Sequence, residues 1–129
     1  MERTNFEKLR VYQLAKSLED AIWDIVMRWK IFTRDTAGQQ LVTSADSIGA
    51  NIAEGSGRGS VLDNRRFVRM ARGSLYETKH RLRRAFRRKL LTPEQTDSLR
   101  QNLDELTHTL NGYLRSLMSK NEPKLRSKF

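Results

Sequence analysis

The side chains best placed for acid–base chemistry are Ser47, Asn51 and Glu54, which lie four and three positions apart. On a helix this spacing puts all three on one face. A general acid or base usually needs a second titrating group or a metal ion to adjust its pKa, and Glu54 has no histidine or other carboxylate beside it in the sequence. The pattern therefore favours a structural hydrogen-bond cluster, with Glu54 paired to an arginine, over a catalytic site.

A glycine-rich segment follows directly, and residues 55–60 read Gly-Ser-Gly-Arg-Gly-Ser. A loop of this kind before a helix can bind phosphate through its backbone N–H groups. The segment lacks the Gly-Lys-Ser/Thr ending of a nucleotide-binding loop, and no strand is predicted before it. It is more typical of a C-cap glycine and a helix–helix connection, with Ser60 or Asp63 capping the next helix and Arg58 as a candidate phosphate contact.

Residues 60–90 are predicted to form a helix whose two sides differ in charge. At 100° per residue, one arc is apolar and should face a core; it contains Phe67, Val68, Ala71, Leu75, Leu82, Ala85 and Phe86. The opposite arc is basic and contains Arg65, Arg69, Arg72, Lys79, Arg83 and Arg87, with Arg66, His80 and Arg84 beside it. Glu77 is the only acid between Arg65 and Lys89.

The basic arc is the strongest functional signal in the chain. Cations four positions apart on a helix repel one another, and a bound polyanion would relieve that repulsion. Arginine exceeds lysine here, which suits bidentate phosphate contacts, and Tyr76 could stack on an unpaired base. The arc therefore predicts contact with nucleic acid, RNA more than DNA, whereas a solvated face or a dock for an acidic protein remains an alternative. A membrane ranks last, because the apolar arc is needed for a core.

Three further helices are predicted. The first, about residues 7–30, has an apolar face, and the second runs to about residue 55 with candidate N-caps at Thr33, Asp35 and Thr36. The fourth begins at Thr92-Pro93, an N-cap followed by proline, and continues to residue 119. This pattern predicts an all-α, antiparallel up-down-up-down four-helix bundle spanning residues 1–119, followed by a basic, disordered tail at 120–129.

Tyr12, Trp23 and Met27 lie outside the apolar face of the first predicted helix. One interpretation is that they widen the core face or stay partly exposed. The other is a subunit interface, because aromatic residues and methionine are enriched at interfaces.

Composition restricts the class of protein. The 129 residues include 25 Lys and Arg against 15 Asp and Glu, a formal charge of +10 that attracts polyanions. No cysteine is present, and neither a signal peptide nor a membrane-spanning run is apparent, so the sequence predicts a cytoplasmic protein. His108 has no partner at ligand spacing, and no metal or cofactor site is predicted.

Two linked motifs resemble those of a known family. Residues 47–55 read Ser-Ile-Gly-Ala-Asn-Ile-Ala-Glu-Gly and are followed by Gly57-Arg58, Phe67 and, at 71–77, Ala-Arg-Gly-Ser-Leu-Tyr-Glu. Together with the opening at residues 6–15, they resemble the bacterial four-helix bundle proteins first noticed as products of intervening sequences in 23S rRNA genes. The sequence departs from the usual pattern at Val42 and Thr43, where a basic residue is common, and at Gly49, where proline is frequent.

The resemblance implies a protomer that assembles into a ring-like homopentamer, binds nucleic acid and has no enzymatic activity. A related branch forms the accessory subunit of diversity-generating retroelements, which binds RNA and a reverse transcriptase, although this sequence follows the intervening-sequence pattern more closely. The motifs and the spacing together predict a structural polar cluster between the second and third helices, made of Ser47, Asn51, Glu54, Arg72 and Ser74.

Overall fold

Four long helices account for most of the chain. The computed structural model describes residues 5–120, in which α1 spans Arg10–Val26, α2 Gln39–Ser56, α3 Val61–Arg87 and α4 Pro93–Ser119. No strand occurs within these described residues. The last helix ends at Ser119, and the predicted tail lies outside the described residues from 121 onward.

Two of the four long helices, α3 and α4, begin with a side-chain N-cap, whereas α1 does not. Thr92 and Gln95 form a reciprocal capping box with Pro93 in the first turn of α4, as the sequence indicates. Ser60 rather than Asp63 caps α3, because its hydroxyl accepts a hydrogen bond from the Asp63 N–H group. The first helix is shorter than predicted, since Phe6–Lys8 forms a separate 3-10 turn and Leu9 is extended.

The predicted N-caps of the second helix are wrong. Helical backbone begins already at Ile31–Thr33, passes through a π-helical turn at Arg34–Gly38 and continues into α2 without a side-chain cap. The Thr36 hydroxyl donates instead to the Phe32 carbonyl, a bond within the helix. Gly38 is buried where α1 ends, and a Cβ atom there would lie 2.5 Å from Val26 Cγ1, so the close approach requires glycine.

One apolar core joins all four helices. Its most buried large side chains are Leu18, Ile22, Leu41, Ile48, Ile52, Val68, Leu75, Leu106 and Leu110. The two phenylalanines predicted for the core of α3 are not fully buried: Phe67 is half-buried and Phe86 is 55% exposed. Burial of the other predicted positions follows the helical period.

Each helix packs mainly against two others, so that α1 and α3 both contact α2 and α4. Past the end of α1, Trp29 Nε1 donates to the carbonyl oxygen of Leu90 at 3.1 Å, which ties that end to the turn after α3. Within the described part of the chain, no helix is both long and apolar enough to span a bilayer.

Candidate nucleic-acid interface

Positive charge is concentrated in one helix. α3 carries nine lysines and arginines against two acids, whereas α1 carries two against three, α4 two against four, and α2 none against two. The other three helices are thus slightly acidic. A polyanion approaching this protein is therefore attracted chiefly to α3.

Arg65 does not belong to a free basic arc. Its Nε donates to the carbonyl oxygen of Leu117 at 2.8 Å, and its Nη2 donates to those of Met118 at 3.2 Å and Lys120 at 2.9 Å. The last carbonyls of a helix have no partner within the helix itself. Arg65 therefore caps the C-terminal end of α4 from the start of α3.

Arg58 and Arg66 are held around Phe67. Their guanidinium carbons lie 4.9 and 5.0 Å from the ring centroid, within the range of cation–π attraction. Arg58 also pairs with Glu54 at 2.7 Å, and Arg66 with Asp63 at 3.7 Å. Both predicted phosphate contacts thus already have a carboxylate partner.

Apart from Arg65, six cations of α3 have no carboxylate within ion-pair distance in the described residues, and we call them the open arc: Arg69, Arg72, Lys79, Arg83, Arg84 and Arg87. Two make other contacts. The Arg69 guanidinium lies 3.0 Å from Met118 Sδ, and Lys79 Nζ is 5.5 Å from the Tyr76 ring, which is 55% exposed. The open arc thus presents guanidinium groups with an accessible aromatic face beside them.

A groove of about 390 Å³ lies between the C-terminal half of α3 and the N-terminal half of α4. Its floor and walls are apolar, from Leu82, Phe86, Leu91, Leu99 and Leu103. Polar side chains complete its lining: Lys79, Arg83, Thr96, Arg100 and Asp104. We call it the α3/α4 groove; the sequence did not reveal it, because Phe86 falls on the core arc by period alone.

The polar cluster between α2 and α3 consists of neutral groups. The Ser74 hydroxyl donates to Ser47 Oγ at 2.9 Å, and the Asn51 side-chain amide donates to the Ser47 carbonyl and hydroxyl oxygens at 2.8 and 3.1 Å. The Thr78 hydroxyl, which is fully buried, lies 2.8 Å from the Ser74 carbonyl oxygen and 3.1 Å from Ser44 Oγ, and it can donate its one proton to either. Sequence reasoning missed Ser44 and Thr78.

Glu54 and Arg72 lie apart from that cluster. Glu54 is exposed and pairs with Arg58, and Arg72 forms no ion pair or side-chain hydrogen bond among the described residues. Assigning them to the cluster was wrong. The remaining groups are hydroxyls and an amide, and the contacts of Ser74 with Ser47 and of Thr78 with Ser44 join α3 to α2.

A second buried polar group lies between α1 and α2. The Glu19 carboxyl packs against Gly49, and its Oε2 atom has no hydrogen-bond partner in the described structure. Burial, followed by the nearby charge of Asp46, raises the pKa of Glu19 to about 8. The small residue Gly49 was the only sequence signal for this contact.

The residues predicted for a subunit interface are divided. Tyr12 is half-buried against the core, with its ring 4.9 Å from that of Phe6 in an edge-on arrangement. Trp23 and Met27 are 52% and 47% exposed on the outer side of α1. Only the latter two offer apolar surface to a partner.

Comparison with known proteins agrees with this fold. The family model for the 23S rRNA-intervening sequence protein matches residues 7–112. The chain belongs to the 23S rRNA-intervening sequence protein family. A solved structure of a protein of unknown function from the S23 ribosomal protein family of Bacteroides thetaiotaomicron VPI-5482 superposes with a TM-score of 0.72 at 23% identity, covering 81% of this chain and 98% of that one. Among curated proteins, none matches.

The family match of this intervening sequence protein includes α1, α2, α3 and most of α4, and therefore the whole open arc. In the described residues of this family member, no group of three or more His, Cys, Asp or Glu side chains is arranged to hold a metal ion. The feature that distinguishes its surface is the charge of α3.

Proposed function

We propose that this chain is a non-enzymatic RNA-binding protein that works in the cytoplasm as a homopentamer. The observation that carries the proposal is the open arc, six cations on one helix without a carboxylate partner in the described residues. Surface cations that serve only solubility are usually interspersed with acids. Cations left unpaired along one helix are better explained by phosphate groups that pair with them.

Binding of this kind depends on contacts with the RNA phosphate backbone more than on the base sequence. Arginine forks bind phosphate oxygens through two hydrogen bonds, whereas direct base recognition needs side chains placed at base edges. Tyr76, half exposed beside Lys79, adds a ring on which an unpaired base can stack. We therefore expect affinity for RNA with little sequence preference and a steep dependence on salt.

Assembly into a ring would increase the positive electrostatic potential that attracts RNA. Five copies, each with a formal charge of +10, would carry about fifty positive charges and present five open arcs together. Weak phosphate contacts on each protomer then act on one RNA molecule, so the overall affinity exceeds that of a single arc.

Antiparallel packing of the protomer belongs to the same proposal. Side-chain hydrogen bonds join residue 40 to 81, 44 to 78 and 47 to 74. The residue numbers in α2 thus increase while those of their partners in α3 decrease, as expected for antiparallel helices. The bonds of Arg65 at the start of α3 to carbonyls at the end of α4 support the same alternation. Both sets of bonds support the up-down-up-down connectivity that we propose.

The test is binding of a structured RNA measured by fluorescence anisotropy over a series of salt concentrations. We compare the wild type with R69Q/R72Q/R84Q/R87Q and with a control, K16Q/R28Q/K30Q/R115Q, that removes four exposed cations elsewhere. The open-arc variant should bind at least about tenfold more weakly, with a slope of log K against log salt that is shallower by about 0.7 to 0.9 for each lost phosphate contact. Equal weakening in both variants would contradict the proposal.

A second function uses the same open arc differently. An accessory subunit that docks an acidic protein partner, such as a reverse transcriptase, would also place unpaired cations along α3. Salt-sensitive binding of a partner's acidic segment, with no RNA shift at any salt concentration, would favour that alternative.

A further inference from the structure

Two exposed carboxylates flank the exposed apolar residues of α1. Asp20 and Asp24 are exposed on either side of Trp23 in the sequence, and Met27 follows one turn later. Neither aspartate forms an ion pair with a described residue. We call Asp20, Trp23, Asp24 and Met27 the acidic patch; it combines apolar surface with two carboxylates that form no ion pair among the described residues.

The α3/α4 groove has the complementary character. Its lining is apolar around Phe86 and Leu99, and its charged residues are three cations, Lys79, Arg83 and Arg100, against one acid, Asp104. None of the three has an ion-pair partner in the described residues. Phe86 is 55% exposed over this apolar surface, although an aromatic ring is costly to leave in water.

We propose that the acidic patch of one protomer docks into the α3/α4 groove of a second copy of this chain. Trp23 would enter the groove against Phe86 and the leucines, while Asp20 and Asp24 would pair with Lys79, Arg83 or Arg100. The volume of the groove, about 390 Å³, lies within the size range of pockets that bury small ligands and exceeds that of an indole ring. This inference rests on the proposed homo-oligomer and names the surfaces that build it.

A second copy explains both surfaces at once. An RNA strand could neutralise the cations of the groove but would leave the acidic patch unpaired and repelled. A foreign acidic protein would likewise leave Trp23 and Met27 exposed. Each copy of this chain carries one acidic patch and one α3/α4 groove. In an assembly of copies, every patch can therefore meet a groove of opposite charge.

The contact would also decide the kind of assembly. Two different surfaces of one chain that bind each other form a heterologous interface, and such interfaces close into rings when the rotation permits. Docking would occupy Lys79 and Arg83 and leave Arg69, Arg72, Arg84 and Arg87 for RNA. The open arc is thereby divided between assembly and binding.

The experiment measures mass by size-exclusion chromatography with light scattering for the wild type, for D20K/D24K, for K79E/R83E and for the combined quadruple variant. The wild type should be an oligomer. Each double variant should fall toward the protomer mass of 15.1 kDa, because like charges then face each other. The quadruple variant should regain the oligomer, because opposite charges meet again across a heterologous interface.

A matched control reverses charge outside both surfaces. E94K/D97K changes two exposed acids of α4 that do not line the groove and should leave the mass unchanged. Circular dichroism and thermal melting of every variant show whether a lower mass reflects assembly rather than unfolding.

The outcomes separate this inference from the proposed function. An oligomeric wild type whose mass neither double variant lowers would overturn the docking and leave the oligomer intact. A monomeric wild type would overturn both the docking and the pentamer, while RNA binding is measured independently. Loss of RNA binding by K79E/R83E at unchanged mass would assign the groove to RNA and overturn the docking, and failure of the quadruple variant to reassemble would exclude this pairing of surfaces.

Discussion

The carboxyl group of Glu19 on α1 lies directly against the backbone of Gly49 on α2, where a Cβ atom would overlap it. Its Oε2 atom is buried without a hydrogen-bond partner in the described residues, and the pKa of Glu19 is raised from 4.5 to about 8, first by burial and then by the charge of Asp46. The folded protein therefore holds a proton at neutral pH that the unfolded chain releases.

This proton makes stability depend on pH. Because the pKa is higher in the folded state, the contribution of Glu19 is fully present below pH 4.5, falls as pH rises, and is lost above about pH 8. Glu19→Gln keeps a neutral group at every pH. We expect the variant to match the wild type near pH 4 and to exceed its stability by about 1–2 kcal/mol above pH 8, allowing for partial solvent screening. Thermal denaturation across this pH range measures the difference.

Asp97→Asn provides the control, since Asp97 is exposed and has no ion-pair partner in the described residues. It should leave the wild-type dependence on pH in place. Parallel curves for the wild type and Glu19→Gln would show that Glu19 holds no such proton.

Gly49→Ala tests the same contact from the other helix. The added methyl group must displace the Glu19 carboxyl toward solvent, while alanine stabilises a helix interior by about 1 kcal/mol relative to glycine. We expect the melting temperature of this variant to lose most of the dependence on pH seen in the wild type. A double variant, E19Q/G49A, should then show no further change in pH dependence, and additive changes would count against a direct contact.

Arg65→Gln should lower the free energy of unfolding of the bundle, whereas its effect on the affinity for RNA should be small. The variant loses the charged hydrogen bonds to three carbonyl oxygens at the end of α4. Together these three bonds should contribute about 1–3 kcal/mol to the free energy of unfolding. Arg66→Gln is the matched control, because its exposed pair with Asp63 at 3.7 Å and its contact with the Phe67 ring should together contribute less than about 1 kcal/mol. Chemical denaturation ranks the two variants; equal stability would contradict the capping role of Arg65.

Thr78→Val should cost about 1–2 kcal/mol of stability, because it removes a buried hydroxyl that hydrogen-bonds the Ser74 carbonyl oxygen or Ser44 Oγ. Glu54→Ala, by contrast, breaks only an exposed pair with Arg58 and should change stability by less than about 0.5 kcal/mol. Urea titrations of both variants compare these values. A larger loss for Glu54→Ala would return Glu54 to the structural cluster.

Local chemistry made most of the fold predictable. The capping box at Thr92 and the apolar period of Leu18, Ile22 and Val26 depend on residues a few positions apart, so the sequence alone reveals them. Period gives the direction of a side chain from its own helix but not the distance to the next helix. Phe86 was therefore assigned to the core, although α3 and α4 leave a groove beneath it.

The candidate site was predictable in outline only. Sequence spacing indicated a basic helix, but which cations remain unpaired depends on partners far along the chain, as for Arg65 and the carbonyls more than fifty positions away. The pairing of Glu19 with Gly49 is equally non-local, at thirty positions. Such contacts follow from helix packing, which no single helix encodes.

The capping of α4 by Arg65 also fixes where a reporter can be attached. It holds the last turn of α4 beside the first turn of α3, and Phe86 lies some twenty residues further on, about 30 Å along that helix. A fluorophore or affinity tag joined after residue 120 would therefore leave the bundle far from the α3/α4 groove. Such a label would allow subunits to be counted in single molecules without covering the surfaces proposed to assemble.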